Sequence, residues 1–194
     1  MEPQPDFKLP KYWPRVWSID VDRTNASVLW AAHNREADTL YIYAELVTPR
    51  YELALVADAI KQRNRAFGDM PGLFDHLARG RSQQEGQRII DALLDLRLEI
   101  FTSSVDADAG AAEVTRRLST KRLKVFATCE RLRAQMNSYR RNKDGDIVAE
   151  SDGLIRAMDL LCMEAPRYAA LDEQSELDAK QDWAGQTRSS VTGY

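Results

Sequence analysis

Two aspartates follow short apolar runs, and this position suits metal-assisted chemistry on phosphate. Asp20 ends the run at residues 15–19, and Asp75 ends a short run that begins after Pro71. An acid at the end of a buried strand can hold a divalent cation against phosphate, because hard cations prefer oxygen ligands. Many strands end in Asp for turn geometry alone. The chemistry therefore depends on whether a third acid joins the pair.

The composition predicts one compact domain with a core. The chain has 194 residues, of which 44% are hydrophobic and 29% are charged,. With a formal net charge of -3, any affinity for nucleic acid must come from local basic patches and depend on salt,. The two cysteines, Cys129 and Cys162, have no zinc-site spacing and fit buried thiols in a reducing compartment,.

The sequence does not predict a membrane or secreted protein. The first 14 residues lack an apolar signal-peptide core,. No apolar run approaches the about 20 residues that cross a bilayer. We therefore expect a soluble protein of the cytoplasm, with no membrane partner.

The spacing of apolar residues predicts a three-stranded meander followed by alternating helices and strands. The predicted strands are residues 15–20, 27–32, 39–46, 73–75, 98–102 and 122–127. The predicted helices are residues 53–65, 84–96, 106–118, 130–139 and 154–163, with a basic hairpin at 140–148 before the last,. This order gives an α/β fold, a mixed sheet flanked by helices. An acid ending strand one and another ending strand four match the plan of the ribonuclease H-like fold.

We divide the chain into three parts. Residues 1–14 carry four prolines and predict an extended arm,. Residues 15–168 form the folded domain, and residues 169–194 are a polar tail that we expect to be loosely ordered,.

The chain resembles the nuclease domain of tailed-bacteriophage large terminases, the DNA-packaging motor subunit, over roughly residues 12–168. Three stretches carry the resemblance: YWPRVWSIDVDRTNASVLWAAHNREADTLYIYAEL from Tyr12, PGLFDHLARGRSQQEG from Pro71, and RLSTKRLKVFATCERLRAQMNSYRRNKDGDIVAESDGL from Arg117. The resemblance implies a site for Mg²⁺ or Mn²⁺, with two ions bound, in which Asp20 and Asp75 are ligands.

The last acidic helix departs from the family pattern. The family usually has an Asp-His pair and an acid three residues after the His. Here Asp152 matches the Asp, Gly153 stands for the His, and Arg156 stands for the final acid. Three alternatives for the third ligand stay open. Asp152 is a ligand or a helix cap, and Asp159 is a ligand or a partner of Arg156. In the third alternative the site has only two strong acids. Asp22, where the family tends to have Gly, is a loop acid or a substitute ligand.

Basic residues predict contacts to a nucleic-acid backbone around these acids. They are Arg79 and Arg81 after the second acid, and Arg140, Arg141 and Lys143 on the hairpin. Such a rim suits backbone-directed binding that tolerates any sequence.

The resemblance implies a metal-dependent endonuclease that cuts concatemeric double-stranded DNA during genome packaging in the host cytoplasm, with Asp20, Asp75 and Asp152 as catalytic residues. Two alternatives stay open: a degenerate domain that binds DNA or packaging proteins without cutting, and another ribonuclease H-like enzyme acting on junctions or RNA–DNA hybrids. The chain contains no GxxxxGK[ST] sequence,. We therefore expect a separately expressed domain or a stand-alone relative that cannot translocate DNA alone. The expected partners are double-stranded DNA, a terminase ATPase domain, a small terminase subunit and the portal.

Overall fold

A mixed six-stranded sheet forms the centre of the domain. The computed structural model describes residues 3–22, 24–48, 52–65, 70–77, 81–138, 140–141, 147–148 and 152–169. The strands are β1 (Arg15–Val21), β2 (Ala26–Asn34), β3 (Thr39–Thr48), β4 (Gly72–Asp75), β5 (Ile100–Ser103) and β6 (Leu123–Val125), in the order β5-β4-β1-β2-β3-β6. The first three are antiparallel, whereas β4, β5 and β6 each run parallel to their neighbour. The predicted α/β fold class is therefore confirmed.

Helices cover both faces of the sheet. They are α1 (Leu53–Arg65), α2 (Gln83–Asp95), α3 (Ala107–Ser119), α4 (Glu130–Ser138) and α5 (Gly153–Tyr168). A short antiparallel pair, β7 (Arg140–Arg141) and β8 (Ile147–Val148), lies between α4 and α5. In the part of the chain that the structure describes, no helix is long and apolar enough to cross a membrane.

Alternation along the strands divides the apolar side chains between two cores. On one face, Trp17, Ile19 and Phe74 pack with residues of α1 and α2. On the other face, Val16 and Leu73 pack with residues of α5, and Ser18 Oγ donates a hydrogen bond to the carbonyl of Ala157 at 2.8 Å. The face that carries α5 is the one that matters for the site.

Helix α5 is longer than the pattern predicts. The sequence predicts an end at Met163, but the helix continues to Tyr168 with Pro166 inside its last turn. Pro166 has no N–H to donate to the carbonyl of Cys162, four residues earlier. Arg117 Nε, on α3, donates to that carbonyl instead, at 3.2 Å. The bond from a neighbouring helix therefore satisfies the carbonyl that the proline leaves free, and the helix does not stop there.

The N-terminal arm, residues 3–14, lies along the β6 edge of the sheet. The backbone N–H of Gln4 donates to the carbonyl of Val125, and Ala127 N–H donates to the carbonyl of Gln4, both at 2.9 Å. Phe7 contacts Tyr41 edge-on, with ring centroids 5.5 Å apart. The arm is thus paired through its backbone and packed through its rings.

Both cysteines are buried free thiols. Burial raises the pKa of Cys129 to about 12. Burial also raises the pKa of Cys162. Their role in packing agrees with the expectation from the sequence.

Candidate functional site

The two strand-end aspartates lie level with each other at one edge of the sheet. In the parallel pair of β1 and β4, Ile19 is opposite Phe74, so Asp20 and Asp75 occupy the next corresponding positions. Both follow a residue of the α1 and α2 face, so by alternation their side chains project from the α5 face. Strand β1 continues one residue past Asp20, to Val21, instead of ending at the aspartate.

Asp20 is buried between two guanidinium groups. Its residue exposure is only 4%. Arg81 Nη2 lies 3.6 Å from Asp20 Oδ1, and Arg156 Nε lies 3.6 Å from Asp20 Oδ2. Burial raises the pKa of Asp20 to about 6, while the charges of Arg156 and Arg81 act in the opposite direction. Within the described ranges, Asp20 Oδ2 is a buried oxygen with no hydrogen-bond partner.

Arg81 points into the protein. Its guanidinium donates to the backbone carbonyls of Asp75 and Val21, and lies 4.7 Å from the centre of the Phe74 ring. Its side chain is 6% exposed. The residue therefore ties the ends of β1 and β4 together beside Asp20. The sequence predicts Arg81 as a DNA contact, but its guanidinium is engaged inside the protein and is not placed to reach a DNA backbone.

Asp152 immediately precedes α5, and its carboxylate makes no helix-capping hydrogen bond. Instead, Asp152 Oδ1 accepts a hydrogen bond from Arg156 Nη2 at 2.8 Å. Arg156 thus lies between two carboxylates, those of Asp152 and Asp20. The sequence leaves two roles open for Asp152, metal ligand or helix cap, and the prediction of a side-chain helix cap is wrong.

Asp159 lies on the α3 side of α5. A Cβ added to Gly110 of α3 would come within 2.8 Å of Asp159 Cβ. Asp159 is 6% exposed. Burial raises its pKa to about 7, with a further contribution from the charge of Asp152. Asp159 is buried because α5 is covered by the sheet on one side and by α3 on another.

Gly153 allows α5 to begin against the sheet. A Cβ at this position would lie 2.5 Å from Ser27 Oγ and 3.3 Å from Asp20 Oδ2. Ser27 pairs with Asp20 across β1 and β2 and is itself buried. The histidine of the family pattern has no space here without displacement of β2 or of the helix.

The other candidate residues are the remaining predicted DNA contacts and Asp22. Arg79 and Lys143 lie outside the described residues, and Arg140 and Arg141 are described only as the backbone of β7. Asp22 lies in the turn after β1, where its Oδ1 accepts hydrogen bonds from the N–H groups of residues 24 and 25. That arrangement is typical of an aspartate that stabilises a turn.

Two residues near the sheet edge, Ser103 and Glu164, were missed by the sequence interpretation. Ser103 is opposite Asp75 in the pairing of β4 with β5. Ser103 Oγ donates to Glu164 Oε1 of α5 at 2.8 Å, and Nδ1 of His76 lies 2.9 Å from the Ser103 carbonyl. The available signal was that Ser103 ends a third parallel strand, so it must reach the same edge.

The acids present suit a hard cation in their chemistry, but a guanidinium fills the place between two of them. Among the described residues, no three His, Cys, Asp or Glu side chains are grouped to hold a metal ion. Asp20 Oδ2 has no hydrogen-bond partner in the described part of the chain, and a metal ion would provide one,. The Arg156 guanidinium lies beside that oxygen and supplies the positive charge that a metal ion would supply. The carboxylates therefore fit a divalent ion only when the Arg156 side chain has moved out from between Asp20 and Asp152.

Comparison with known proteins identifies the fold. No protein-family model and no curated protein sequence matches this chain. The solved nuclease domain of the P22 large terminase matches with a TM-score of 0.75 at 17% identity, over 85% of this chain and 87% of that chain. The large terminase of the thermophilic bacteriophage D6E, in complex with ADP, matches with a TM-score of 0.70 at 12% identity, over 84% of this chain and 42% of that chain.

A third structure was solved with a metal. The g2p large terminase nuclease domain of bacteriophage SPP1, with bound Mn, matches with a TM-score of 0.55 at 14% identity, over 76% of this chain and 84% of that chain. The chain thus has a ribonuclease H-like fold, as predicted. More narrowly, it has the fold of large terminase nuclease domains, and it spans less than half of the D6E protein.

Proposed function

We propose that this chain is the nuclease domain of a phage terminase large subunit and hydrolyses phosphodiester bonds of double-stranded DNA during genome packaging. The observation that carries the proposal is the level position of Asp20 and Asp75 on adjacent parallel strands. Adjacent carboxylates at one edge of a sheet are suited to a hard divalent ion. The similar fold of the Mn-bound SPP1 nuclease domain supports the same reading.

The proposed ligands are Asp20, Asp75 and Asp152, with Asp159 as a fourth candidate, for Mg²⁺ or Mn²⁺ and two ions in the full site. A bound divalent ion supplies positive charge to the phosphate and lowers the pKa of a water molecule. The chain's own contribution is to hold the acids: Arg81 fixes the ends of β1 and β4, and burial keeps water away from Asp20. Asp20, Asp75 and Asp152 are the proposed catalytic residues.

The proposed DNA contacts are Arg79, Arg140, Arg141 and Lys143, whereas the buried Arg81 holds the strand ends instead. They would neutralise backbone phosphates, so binding is expected to tolerate any sequence. A terminase ATPase domain, a small terminase subunit and the portal are the proposed protein partners, and the host cytoplasm is the proposed location. The division into arm, domain and tail also stays a proposal.

Plasmid nicking tests the proposed activity. We expect wild-type chain to nick supercoiled plasmid with Mg²⁺ or Mn²⁺ and not with EDTA. Asp20→Asn and Asp75→Asn should each reduce the rate by at least about a hundredfold, because each removes a ligand to an ion that supplies several kcal/mol of transition-state stabilisation. Asp58→Asn, an exposed acid on α1, is the matched control. Nicking in EDTA, or an unchanged rate in Asp20→Asn, would contradict the proposal.

A second candidate function is DNA binding without cleavage. The observation that favours it is Arg156, whose positive charge lies between Asp20 and Asp152. This candidate and the first differ in one result: DNA binding is retained in both, but no metal concentration gives nicking in the second.

DNA affinity itself depends on the hairpin under either candidate. We expect Arg140→Ala with Arg141→Ala to weaken duplex binding and to reduce the slope of log affinity against log salt by about two, since about one counterion is released per phosphate contact. Fluorescence anisotropy over a salt series measures both quantities. Arg88→Ala, on the exposed side of α2, is the control. An unchanged salt slope would remove the hairpin from the DNA contacts.

A further inference from the structure

Arg156 occupies the position of a cation between two carboxylates. Its Nη2 donates to Asp152 Oδ1 at 2.8 Å, and its Nε lies 3.6 Å from Asp20 Oδ2. The positive charge is therefore shared by the partly exposed Asp152 on one side and the buried Asp20 on the other. A divalent ion ligated by Asp20 Oδ2 would have to lie next to this guanidinium.

The contact between Arg156 and Asp20 is an attraction between charges without a completed hydrogen bond. Arg156 Nε and Asp20 Oδ2 are both buried, and neither has a hydrogen-bond partner among the residues that the structure describes. A buried donor or acceptor that is left unpaired costs free energy. The Asp20 oxygen is therefore held by charge but remains short of a ligand.

The two arginines beside Asp20 differ in how firmly they are held. The Arg81 side chain is 6% exposed and donates to two backbone carbonyls. The Arg156 side chain is 28% exposed and lies in the first turn of α5, and it donates a hydrogen bond to Asp152, whose side chain is 24% exposed. Arg156 can therefore turn towards solvent without disturbing the core, whereas Arg81 cannot.

We propose that Arg156 competes with divalent metal for Asp20, so that the site holds either the guanidinium or the metal ion but not both. This inference rests on the metal site of the proposed function. Its physical basis is repulsion, because a divalent ion and a guanidinium about 4 Å apart oppose each other even at high dielectric constant. Arg156 then sets the metal affinity of the site without ligating the metal.

Isothermal titration of the full chain with Mn²⁺ tests the proposal directly. We expect Arg156→Gln to bind Mn²⁺ at least about tenfold more tightly than wild type, because it removes one positive charge beside the ion. Arg156→Lys keeps the charge and should leave the affinity near that of wild type. Arg116→Gln removes an exposed arginine that pairs with Glu113 on α3, and it should also bind as wild type does.

A double variant identifies the location of the tighter binding. Asp20→Asn with Arg156→Gln should lose the gain, because the ligand at the competed position is gone. Equal Mn²⁺ affinity in wild type and Arg156→Gln would overturn the proposal, and so would a gain that persists in the double variant or also occurs in Arg116→Gln. Thermal unfolding in EDTA verifies that each variant is folded, and Arg156→Asp serves as a second variant with the same expected direction.

The outcome is separable from that of the proposed function. Tighter Mn²⁺ binding in Arg156→Gln without plasmid nicking would support competition at Asp20 and contradict the endonuclease. Nicking by wild type with no change in Mn²⁺ affinity in Arg156→Gln would support the endonuclease and overturn the competition.

Discussion

Arg81→Met is expected to lower the free energy of unfolding by about 3–5 kcal/mol, because it removes one of the two guanidinium groups beside a buried carboxylate together with the hydrogen bonds from that guanidinium to the strand ends,. In the variant the backbone carbonyls of Val21 and Asp75 lose the donor that Arg81 provides. The Asp20 carboxylate loses one of its two cationic neighbours and keeps Arg156. Methionine fills much of the same volume, so the loss reflects charge and hydrogen bonds more than packing. Urea denaturation monitored by tryptophan fluorescence measures the change.

The matched control for this prediction is Arg88→Met. Arg88 lies seven residues further on and is exposed on α2, so its replacement should change stability by less than about 0.5 kcal/mol. An Arg81→Met midpoint equal to that of the control would show that the buried guanidinium does not hold the strand ends together.

Gly153→His is expected to lower the free energy of unfolding by about 3 kcal/mol or more, at the upper end of the range for overpacked sites. The change would bring this chain closer to the family's Asp-His pattern, but even a single added carbon would lie 2.5 Å from Ser27 Oγ. Because Ser27 is buried on a central strand, neither the strand nor the helix start can yield at low cost. Denaturant unfolding checks the prediction.

A histidine placed elsewhere on the same helix separates crowding from helix propensity. Met163 is 40% exposed on α5, and Met163→His should cost less than about 1 kcal/mol. If Gly153→His unfolds at the wild-type midpoint, then the close approach of α5 to β2 is not a constraint on residue 153.

The sheet could be predicted from the sequence because its strands alternate regularly. Alternating residues in β3 and the apolar runs of β1 and β2 defined the meander to within a few residues. The end of α5 could not be predicted, because Pro166 is a local stop signal that Arg117 overrides from another helix,. That compensation depends on a tertiary contact that no local pattern contains.

The positions of the acids in the candidate site could be predicted from the sequence, but the directions of the arginine side chains could not. Asp20 and Asp75 were expected at one edge, and the pairing of β1 with β4 brings them level. Arg81 belonged to a basic stretch, so the sequence favoured a surface role, whereas its guanidinium lies inside against Asp20. The direction of a long flexible side chain depends on which buried charge lacks a partner, and that becomes visible only in three dimensions.

The N-terminal arm has a consequence for the solution behaviour of this domain. Strand β6 is the last in the sheet, and an uncovered outermost strand is a template for self-association. The pairing of Gln4 with Phe126 closes part of that template, while Phe7 covers aromatic surface beside it. A chain trimmed to start at Arg15 would retain the candidate ligands Asp20, Asp75, Asp152 and Asp159, but it would expose the backbone edge of β6. We therefore expect residues 3–14 to limit self-association through β6.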